Sequence, residues 1–462
     1  MLKIYNTLSQ KKEILKPRKG KKINLFVCGP TTYDLSHLGH ARTYLAFDAM
    51  AKYLKQEGYD VFYLQNITDV DDKIINRAKE QNLSWLELSR KFEKEYLKDA
   101  KSLGIKSVSK YARATAHLKE IVSQVERLLK KGYAYEIKGD GIYYDIAKFK
   151  DYGKLSGRTA LGAESATSRI DESVNKKNKG DFCLWKLSKP GEPQWKSPWG
   201  LGRPGWHIED TAITEKYFGP QYDIHGGARD LIFPHHEAEI AQIEAVSGKK
   251  PLVKYWMHTG FLTVNGEKMT KSLGNFITIQ DFLKSHPVRL LRFFLLKSHY
   301  RSPIDYSEKL LSQAKQELER VDEFVGKLKT QNSKTATQRF ELEEFQKRFS
   351  EAMADDFNTP QAIAAIFELI TAGNALISVN KLDRAEAKAI LRFLKRIDVF
   401  FGFILSKKTK EEIPEEVWHL IKQREYYRKN NLWQKADEMR EKISNLGYQV
   451  EDTKEGPKLK KI

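Results

Sequence analysis

Two histidines stand three residues apart in the stretch VCGPTTYDLSHLGHAR, residues 27–42, with a glycine between them and a cysteine upstream. His37 and His40 would lie on one face of a helix, and Gly39 would let the backbone approach a ligand closely. Both imidazoles could then donate hydrogen bonds to a phosphate whose charge grows during a reaction, helped by the helix N-terminus. The spacing indicates phosphate chemistry, although two histidines that only cap a helix would show the same pattern.

A second candidate is the lysine-bearing segment GEKMTKSLGNF, residues 266–276. Lys268 and Lys271 lie between Gly266 and Gly274, which would make the loop mobile. Two ammonium groups on such a loop suit a polyphosphate whose charge shifts during reaction. A lysine-rich loop is by itself more often a solvated surface, so its meaning depends on the histidine pair.

The elements around the histidine pair predict a doubly wound α/β fold. INLFVC at 23–28 suits a buried strand, and residues 39–57 have the apolar spacing of a helix that Gly58 stops. DVFYLQNIT at 60–68 suits a second buried strand. Together they form a βαβ unit, the opening of a parallel sheet.

The sheet is expected to resume within residues 222–245, which read as part strand and part helix. Ligands of such sheets bind beyond the carboxyl ends of the strands. Cys28, the histidine pair and the TDVDD run at 68–72 would meet there.

Downstream segments differ in composition. Residues 120–200 are rich in Gly, Lys and Ser and are predicted to be an insertion with mobile loops. After about residue 305, helical periodicity predicts a helical bundle. A charged linker at 406–414 leads to a small basic module ending in KLKKI.

The overall composition favours a soluble cytosolic chain with a polyanionic partner. Lys and Arg number 80 against 61 Asp and Glu, a net charge of +19, which is typical of nucleic-acid binders unless the source proteome is basic throughout. The two cysteines exclude a disulfide framework. No apolar run of about 18 residues is apparent and the N-terminus lacks the apolar core of a secretion signal, so no membrane association is expected.

The histidine and lysine motifs together resemble the HxGH and KMxKS signatures of class I aminoacyl-tRNA synthetases. Within that class, the chain is similar to the cysteinyl-tRNA synthetase family over nearly its whole length and in the same order. The stretches that carry the resemblance are CGPTTYD at 28–34, HLGHAR at 37–42, NITDVDDKII at 66–75, DFCLWK at 181–186, GRPGWHIED at 202–210, DIHGGARDLIFPHHEAEIAQ at 223–242, KMTKS at 268–272 and DDFNTPQA at 355–362.

The resemblance implies a Rossmann-type doubly wound parallel sheet with an inserted connective segment, followed by an α-helical bundle and a small C-terminal module. The expected boundaries are a catalytic first half at 1–119, the connective insertion at 120–200, a catalytic second half at 201–250, a stem-contact segment with the KMxKS loop at 251–304, the bundle at 305–405 and an anticodon-binding module at 406–462.

The resemblance also implies a reaction in two steps, with ATP, L-cysteine and tRNA(Cys) as substrates. Cysteine's carboxylate would attack the α-phosphate of ATP, giving cysteinyl-adenylate and pyrophosphate, and the acyl group would then pass to the tRNA's terminal adenosine. His37 and His40 would stabilise the α-phosphate. Lys268 and Lys271 would hold the β- and γ-phosphates together with Mg²⁺.

Two further pockets follow from the same resemblance. The ATP nucleoside pocket would comprise His225, Gly226, Gly227 and Asp230, with glycines that allow close approach and a carboxylate for ribose hydroxyls. The cysteine pocket would comprise Gly29, Thr31, Thr68 and Trp206. The family is often monomeric, so a cytoplasmic monomer is expected.

A zinc ion is implied as the means of choosing cysteine over serine, because zinc binds thiolate strongly and a neutral hydroxyl weakly. The family's ligands map onto Cys28, position 210, His235 and Glu239, and the last two would share a helix face. The family usually has cysteine at position 210, whereas this chain has Asp210. We expect Asp210 to be the fourth ligand, at lower affinity. The alternative is that the metal has been lost and Asp210 accepts a hydrogen bond, from Trp206 or the substrate.

Two other activities stay open. A tRNA-free ligase that joins activated cysteine to a small amine should lack the anticodon module. A non-enzymatic RNA-binding paralogue should have eroded HxGH or KMxKS motifs, and both stand intact here.

Overall fold

The computed structural model describes residues 1–158, 175–269, 273–333, 340–405, 414–453 and 456–461. The chain forms two compact units, Met1–Leu405 and Ser406–Ile462.

The strands of the described residues, in chain order, are β1 (Lys3–Asn6), β2 (Lys11–Ile14), β3 (Lys22–Val27), β4 (Asp60–Ile67), β5 (Lys110–Arg113), β6 (Ala134–Ile137), β7 (Gly141–Tyr144), β8 (Phe182–Leu187), β9 (Trp195–Ser197), β10 (Gly200–Pro204), β11 (Tyr222–Ala228), β12 (Val253–Thr259), β13 (Leu262–Val264), β14 (Glu267–Lys268), β15 (Ile304–Tyr306), β16 (Tyr448–Thr453) and β17 (Gly456–Lys461).

The α-helices are α1 (Leu38–Gln56), α2 (Asp72–Glu80), α3 (Trp85–Ser102), α4 (Leu118–Lys130), α5 (Trp206–Phe218), α6 (Glu237–Ser247), α7 (Ile279–Ser285), α8 (Val288–Leu296), α9 (Glu308–Thr330), α10 (Leu342–Ala354), α11 (Thr359–Ser378), α12 (Arg384–Phe401), α13 (Glu415–Lys429) and α14 (Trp433–Asn445).

A five-stranded parallel sheet in the order β12-β11-β3-β4-β5 forms the centre of the first unit. The strand order reverses between β3 and β11, where Val27 pairs with Gly226. Such a switch point leaves a crevice beyond the carboxyl ends of the two strands. The predicted Rossmann-type α/β class is thereby confirmed, with its ligand crevice next to Cys28.

Helix α1 follows β3 as predicted. His37 caps it, and the residues spaced along one face, Tyr44, Phe47, Met50 and Leu54, are buried against the sheet and its neighbours. The helix ends before Gly58, whose φ of 84° suits a residue without a Cβ. The strand–helix–strand unit therefore lies where the sequence places it.

The connective insertion is a second sheet, five antiparallel strands in the order β6-β7-β8-β10-β9. The sequence predicts an insertion with mobile loops and does not indicate a sheet, whereas Tyr143, Tyr144 and Trp185 on its strands are fully buried. Short strands punctuated by Gly and Lys have too little periodicity to be recognised in the sequence. The sheet also extends to Pro204, past the expected boundary at residue 200, while residues 159–174 lie outside the described part.

Helices α9 to α12 form the predicted bundle, whose core is continuous with that around α1. Asp356 connects the bundle to the part of the unit that precedes it in the chain. Its buried carboxylate accepts hydrogen bonds from Tyr5 N, Tyr300 Oη and Arg301 Nε, each 2.7 Å long. The DDFNTPQA stretch thus has a structural role in joining the two parts.

One helix of the described residues, α11, is long and apolar enough to cross a membrane by length and composition alone. The expectation that no such stretch exists needs this correction. Ile366, Leu369 and Ile370 of α11 are buried in the bundle core, however, and core helices commonly pass the same test.

The second unit packs α13 and α14 with the antiparallel β16–β17 hairpin. Val417, Ile421, Ile443 and Val450 form its small core. Arg424 is buried and donates to both carboxylate oxygens of Asp452 at 2.9–3.0 Å, which fastens the hairpin to α13.

Candidate active site and metal group

A cavity of about 560 Å³ opens beyond the carboxyl ends of β3 and β11. Of the predicted site residues, its lining includes Cys28, Gly29, Thr31, His37, His40, Trp206, Asp210, Asp230, His235 and Lys268. Residues from distant parts of the sequence thus meet in one crevice.

Four side chains at the cavity form a compact group that could hold a metal ion. One ligand atom from each of Cys28, Asp210, His235 and Glu239 lies within 4.8 Å of all the others. His235 Nε2 lies 3.0 Å from Asp210 Oδ2 and 3.1 Å from Glu239 Oε1. All four residues are buried.

The donor set fits a divalent cation. Both carboxylate oxygens of Glu239 are buried without a hydrogen bond from the described part of the chain. Burial, together with the Asp210 and Glu239 carboxylates, raises the pKa of the Cys28 thiol well above its usual range. Burial and Asp210 likewise raise the pKa of Glu239. Three acidic groups buried in one cluster can all ionise only if a cation compensates their negative charge.

Helices α5 and α6 position Asp210 and Glu239 of this group. Gly205 begins α5, which sets Trp206 and Asp210 one turn apart, and α6 carries Glu239. His235 stacks on the Trp206 ring at a centroid distance of 4.3 Å. Its Nδ1 lies 2.8 Å from Nδ1 of His207. Burial lowers the pKa of His207, which keeps that ring neutral, so its Nδ1 can accept a hydrogen bond from Nδ1–H of His235. Nε2 of His235 then has no proton and is the nitrogen that faces the group.

A second set of histidines supports Cys28. The Sγ atom of Cys28 lies 3.3 Å from His225 Nε2 and 3.1 Å from His236 Nε2. Tyr222 Oη lies 2.7 Å from the other nitrogen of His225, and His258 Nε2 lies 2.8 Å from that of His236. With these partners as donors, both histidines turn an N–H toward the sulfur. Cys28, His225, His236 and Glu239 make up an alternative group of possible ligands.

This placement bears on the predicted nucleoside pocket. His225, Gly226 and Gly227 lie in β11 and do not line the cavity described above, whereas Asp230 does. A Cβ on Gly226 would come within 2.3 Å of the Phe47 ring, and one on Gly227 within 2.8 Å of His236. Internal packing therefore suffices to require both glycines.

The HxGH pair shows a defined geometry. His37 Nδ1 accepts a hydrogen bond from Gly39 N at 3.0 Å, and His40 Nδ1 accepts one from His37 N at 3.3 Å. The rings stack at 3.9 Å. Burial and His37 lower the pKa of His40 well below its usual range, so this ring is neutral. Because each Nδ1 accepts, the ring proton of a neutral histidine lies on Nε2, which is where a phosphate would be met.

The remaining predicted residues fall as follows. Gly29 needs its missing side chain, since a Cβ would lie 1.8 Å from the Asn66 backbone oxygen. Thr31 pairs with Thr68 in a parallel bridge, and Thr68 is buried, its hydroxyl 2.9 Å from Glu209 Oε2. Lys268 is exposed on β14 at the cavity. Lys271 lies outside the described residues.

Four residues of this site were not among the predicted site residues. The structure adds Asn66, His207, His236 and His258, which contact the candidate ligands or one another. Seven of the chain's eleven histidines fall in a few short segments, and the three histidines named here are among those seven, which is the signal that could have found them. Asn66 begins the NITDVDDKII stretch that carries the resemblance, but no local pattern pairs it with Asp210, because the two residues are distant in the sequence.

Comparison with known proteins identifies the class of protein to which the chain belongs. A family model described as the tRNA synthetases class I (C) catalytic domain matches residues 14–316, and a DALR domain model matches residues 348–406. Among solved structures, methionyl-tRNA synthetase of Mycobacterium tuberculosis with methionyl-adenylate has a TM-score of 0.60 at 16% identity, covering 83% of this chain and 88% of that one. A ternary LeuRS–tRNA complex from Agrobacterium radiobacter K84 has a TM-score of 0.62 at 12% identity, covering 85% of each chain. The fold is that of the class I aminoacyl-tRNA synthetases, and the family model places the chain in this class.

Full-length relatives narrow the class to a family. The cysteine–tRNA ligase of Carboxydothermus hydrogenoformans is 47% identical over 100% of both chains. That of Thermococcus gammatolerans is 46% identical over 100% of this chain and 99% of its own. The chain belongs to the cysteine–tRNA ligase family.

Proposed function

We propose that this chain activates L-cysteine with ATP to cysteinyl-adenylate and transfers the cysteinyl group to the 3′-terminal adenosine of tRNA(Cys), releasing AMP and pyrophosphate for protein synthesis. One observation supports cysteine as the amino-acid substrate. The buried group of Cys28, Asp210, His235 and Glu239 lies at the same cavity as the HxGH histidines. A thiol-selective contact and a phosphate site are thereby adjacent.

The metal proposed for the group is one Zn²⁺ per chain, held by Cys28, Asp210, His235 and Glu239. A thiolate, an imidazole and two carboxylates are ordinary zinc ligands. When bound, the ion supplies a Lewis-acidic contact that favours the substrate's sulfur over a serine hydroxyl. Trp206, which stacks on His235, walls the same space. Gly29, Thr31 and Thr68 belong to the proposed cysteine pocket around it.

The adenylation step depends on positioning and charge. His37 and His40 donate from Nε2 to the α-phosphate as negative charge develops on its oxygens. Lys268 and Lys271 hold the β- and γ-phosphates, with Mg²⁺ sharing that charge. Asp230, at the cavity, accepts from ribose hydroxyls, next to the proposed nucleoside residues His225, Gly226 and Gly227 on β11.

The transfer step requires the tRNA to reach the same cavity. The DALR match supports tRNA binding by the bundle, and the small C-terminal module is proposed to read the anticodon. Trp418, Tyr426 and Trp433 of this module are 48%, 63% and 57% exposed, which suits base stacking. The chain is proposed to act as a cytoplasmic monomer.

The direct test is charging of a tRNA(Cys) transcript with cysteine, with zinc measured in the same chelator-free preparation. We expect cysteinyl-tRNA to form and zinc to be present at about one ion per chain. Transfer of cysteine to small amines but not to tRNA would favour the tRNA-free ligase. Full cysteine activation by zinc-free protein would refute the metal assignment.

A further inference from the structure

We propose that Asn66 is a positioning residue that commits Asp210 to bind the metal through one defined carboxylate oxygen. The proposal rests on the zinc group assigned above. Asn66 lies in β4, one residue before the strand ends, and is 2% exposed. Its amide bridges the segment that carries Cys28 and the helix that carries Asp210.

The orientation of the Asn66 amide follows from its backbone partner. Gly29 N–H lies 2.5 Å from Oδ1 of Asn66, and a backbone N–H can only donate. The amide oxygen must therefore face Gly29. Nδ2 then faces Asp210, whose Oδ1 lies 2.5 Å away, while Thr68 Oγ1 lies 3.4 Å from the same nitrogen.

This hydrogen bond distinguishes the two oxygens of Asp210. Oδ1 accepts from Asn66, and Oδ2 lies 3.0 Å from His235 Nε2, inside the candidate metal group. A free carboxylate can bind an ion through either oxygen or both, in several rotamers. Asn66 removes that freedom, so Asp210 presents Oδ2 alone, without an ordering cost when the ion binds.

The same amide fixes the distance between two ligands. Gly29 directly follows Cys28, and Cys28 N–H donates to Gly226 O at 3.1 Å. The Asn66 amide binds Gly29 through Oδ1 and Asp210 through Nδ2. This rigid planar group therefore connects the side of the site that carries the Cys28 sulfur with the side that carries the Asp210 carboxylate. Loss of the amide would leave Asp210 Oδ1 buried without this donor, which costs more than an exposed hydrogen bond.

The test is the zinc affinity of Asn66→Ala, measured by chelator competition in the absence of all substrates. Removing a partner that orients a metal ligand typically lowers affinity about 10- to 100-fold, and we expect a loss in that range. The milder variant Asn66→Ser, too short to reach Asp210, should lose affinity too. Circular dichroism establishes that each variant is folded.

The specific role is isolated by repeating the change in an Asp210→Cys background. A thiolate binds through a single sulfur atom and has no second oxygen to orient. In that background, loss of Asn66 should change zinc affinity by no more than about 2-fold, and this failure of additivity would show that Asn66 acts through Asp210. An equal loss in both backgrounds would show that Asn66 only supports the local fold, and would overturn the proposal.

Ser89→Ala supplies the matched control. It removes a buried hydrogen bond, 2.7 Å to Thr32 Oγ1, from the same half of the catalytic part, and should leave zinc affinity unchanged. The outcomes separate the two proposals. Wild-type protein without zinc affinity would refute the metal site itself, whereas tight zinc binding by both wild type and Asn66→Ala would refute only the role of Asn66.

Discussion

His37 caps helix α1, and its proposed contact with the phosphate would be a second function of the same side chain. Its side chain caps α1 through Gly39 N, and with His40 it forms a reciprocal capping box. The same contacts place the ring proton of a neutral histidine on Nε2. Capping thus orients the HxGH pair, so the cap is compatible with the proposed role of the two histidines at the phosphate.

The helix cap and the proposed phosphate contact of His37 can be separated by substitution. Asn is among the best N-cap residues, whereas Ala at an N-cap costs about 0.5–2 kcal/mol. His37→Asn should keep the unfolding free energy of wild type, and His37→Ala should lower it. Both should slow adenylate formation by about 10²–10³-fold, because each loses a donor to the developing charge.

Cysteine-dependent pyrophosphate exchange and thermal unfolding together measure these effects. His40→Ala should show the same loss of exchange with unchanged circular dichroism. Exchange at the wild-type rate in His37→Asn would restrict His37 to the cap.

At the scale of elements, α3 contains two carboxylates in opposite environments. Asp99 in its last turn is buried, with Oδ2 lacking a hydrogen-bond partner in the described part of the chain, and burial raises its pKa to about 6. Glu87 in the first turn accepts from Ser84, which lowers its pKa. Ionisation of the two residues should therefore change the free energy of unfolding in opposite directions.

Asp99→Asn should stabilise the protein above neutral pH. The raised pKa of Asp99 means that its ionised form is disfavoured in the folded state. Ionisation of Asp99 therefore lowers the free energy of unfolding. This loss is absent well below pH 4, grows as pH rises to about 6, and is constant above that. We expect a gain of about 1 kcal/mol at pH 8 that is nearly gone at pH 4. Melting curves at the two pH values test this.

Glu87→Gln is the control of opposite sign. Its lowered pKa stabilises the fold once Glu87 is ionised, so the variant should match wild type at low pH and be less stable at pH 8. A gain from Asp99→Asn that is equal at both pH values would contradict the electrostatic explanation.

The elements also show how far the sequence could predict the structure. The strand, helix and strand around HxGH have clear apolar periodicity and lie within a residue or so of their predicted bounds. The insertion's sheet was missed because its pairs, such as Tyr143 with Cys183, join residues about forty apart. Asn66 and the Cys28–histidine contacts were missed for the same reason, since no local pattern encodes a bond between β4 and α5.

At the scale of the whole molecule, the two units are expected to divide the reaction. The first, Met1–Leu405, contains the cavity and its own continuous core. The second, Ser406–Ile462, has a separate small core and exposed aromatic residues. Activation of cysteine should therefore need only the first unit, and tRNA charging should need both.

Deletion of residues 406–462 tests this division. We expect cysteine-dependent pyrophosphate exchange within about 2-fold of wild type and a large rise in KM for tRNA(Cys), because this module is proposed to bind the tRNA. Trp418→Ala and Trp433→Ala in the full chain should reproduce part of that rise. Undiminished charging by the shortened chain would remove the anticodon role from this module.

The central claim is that the cavity activates cysteine through a contact that serine cannot make. Its most direct measurement is ATP–pyrophosphate exchange by the full chain with cysteine, with serine and with no amino acid. We predict exchange with cysteine and at least about 10⁴-fold less with serine, because a metal–sulfur contact has no equivalent for a hydroxyl. Exchange driven equally well by serine, or independent of any amino acid, would contradict the account.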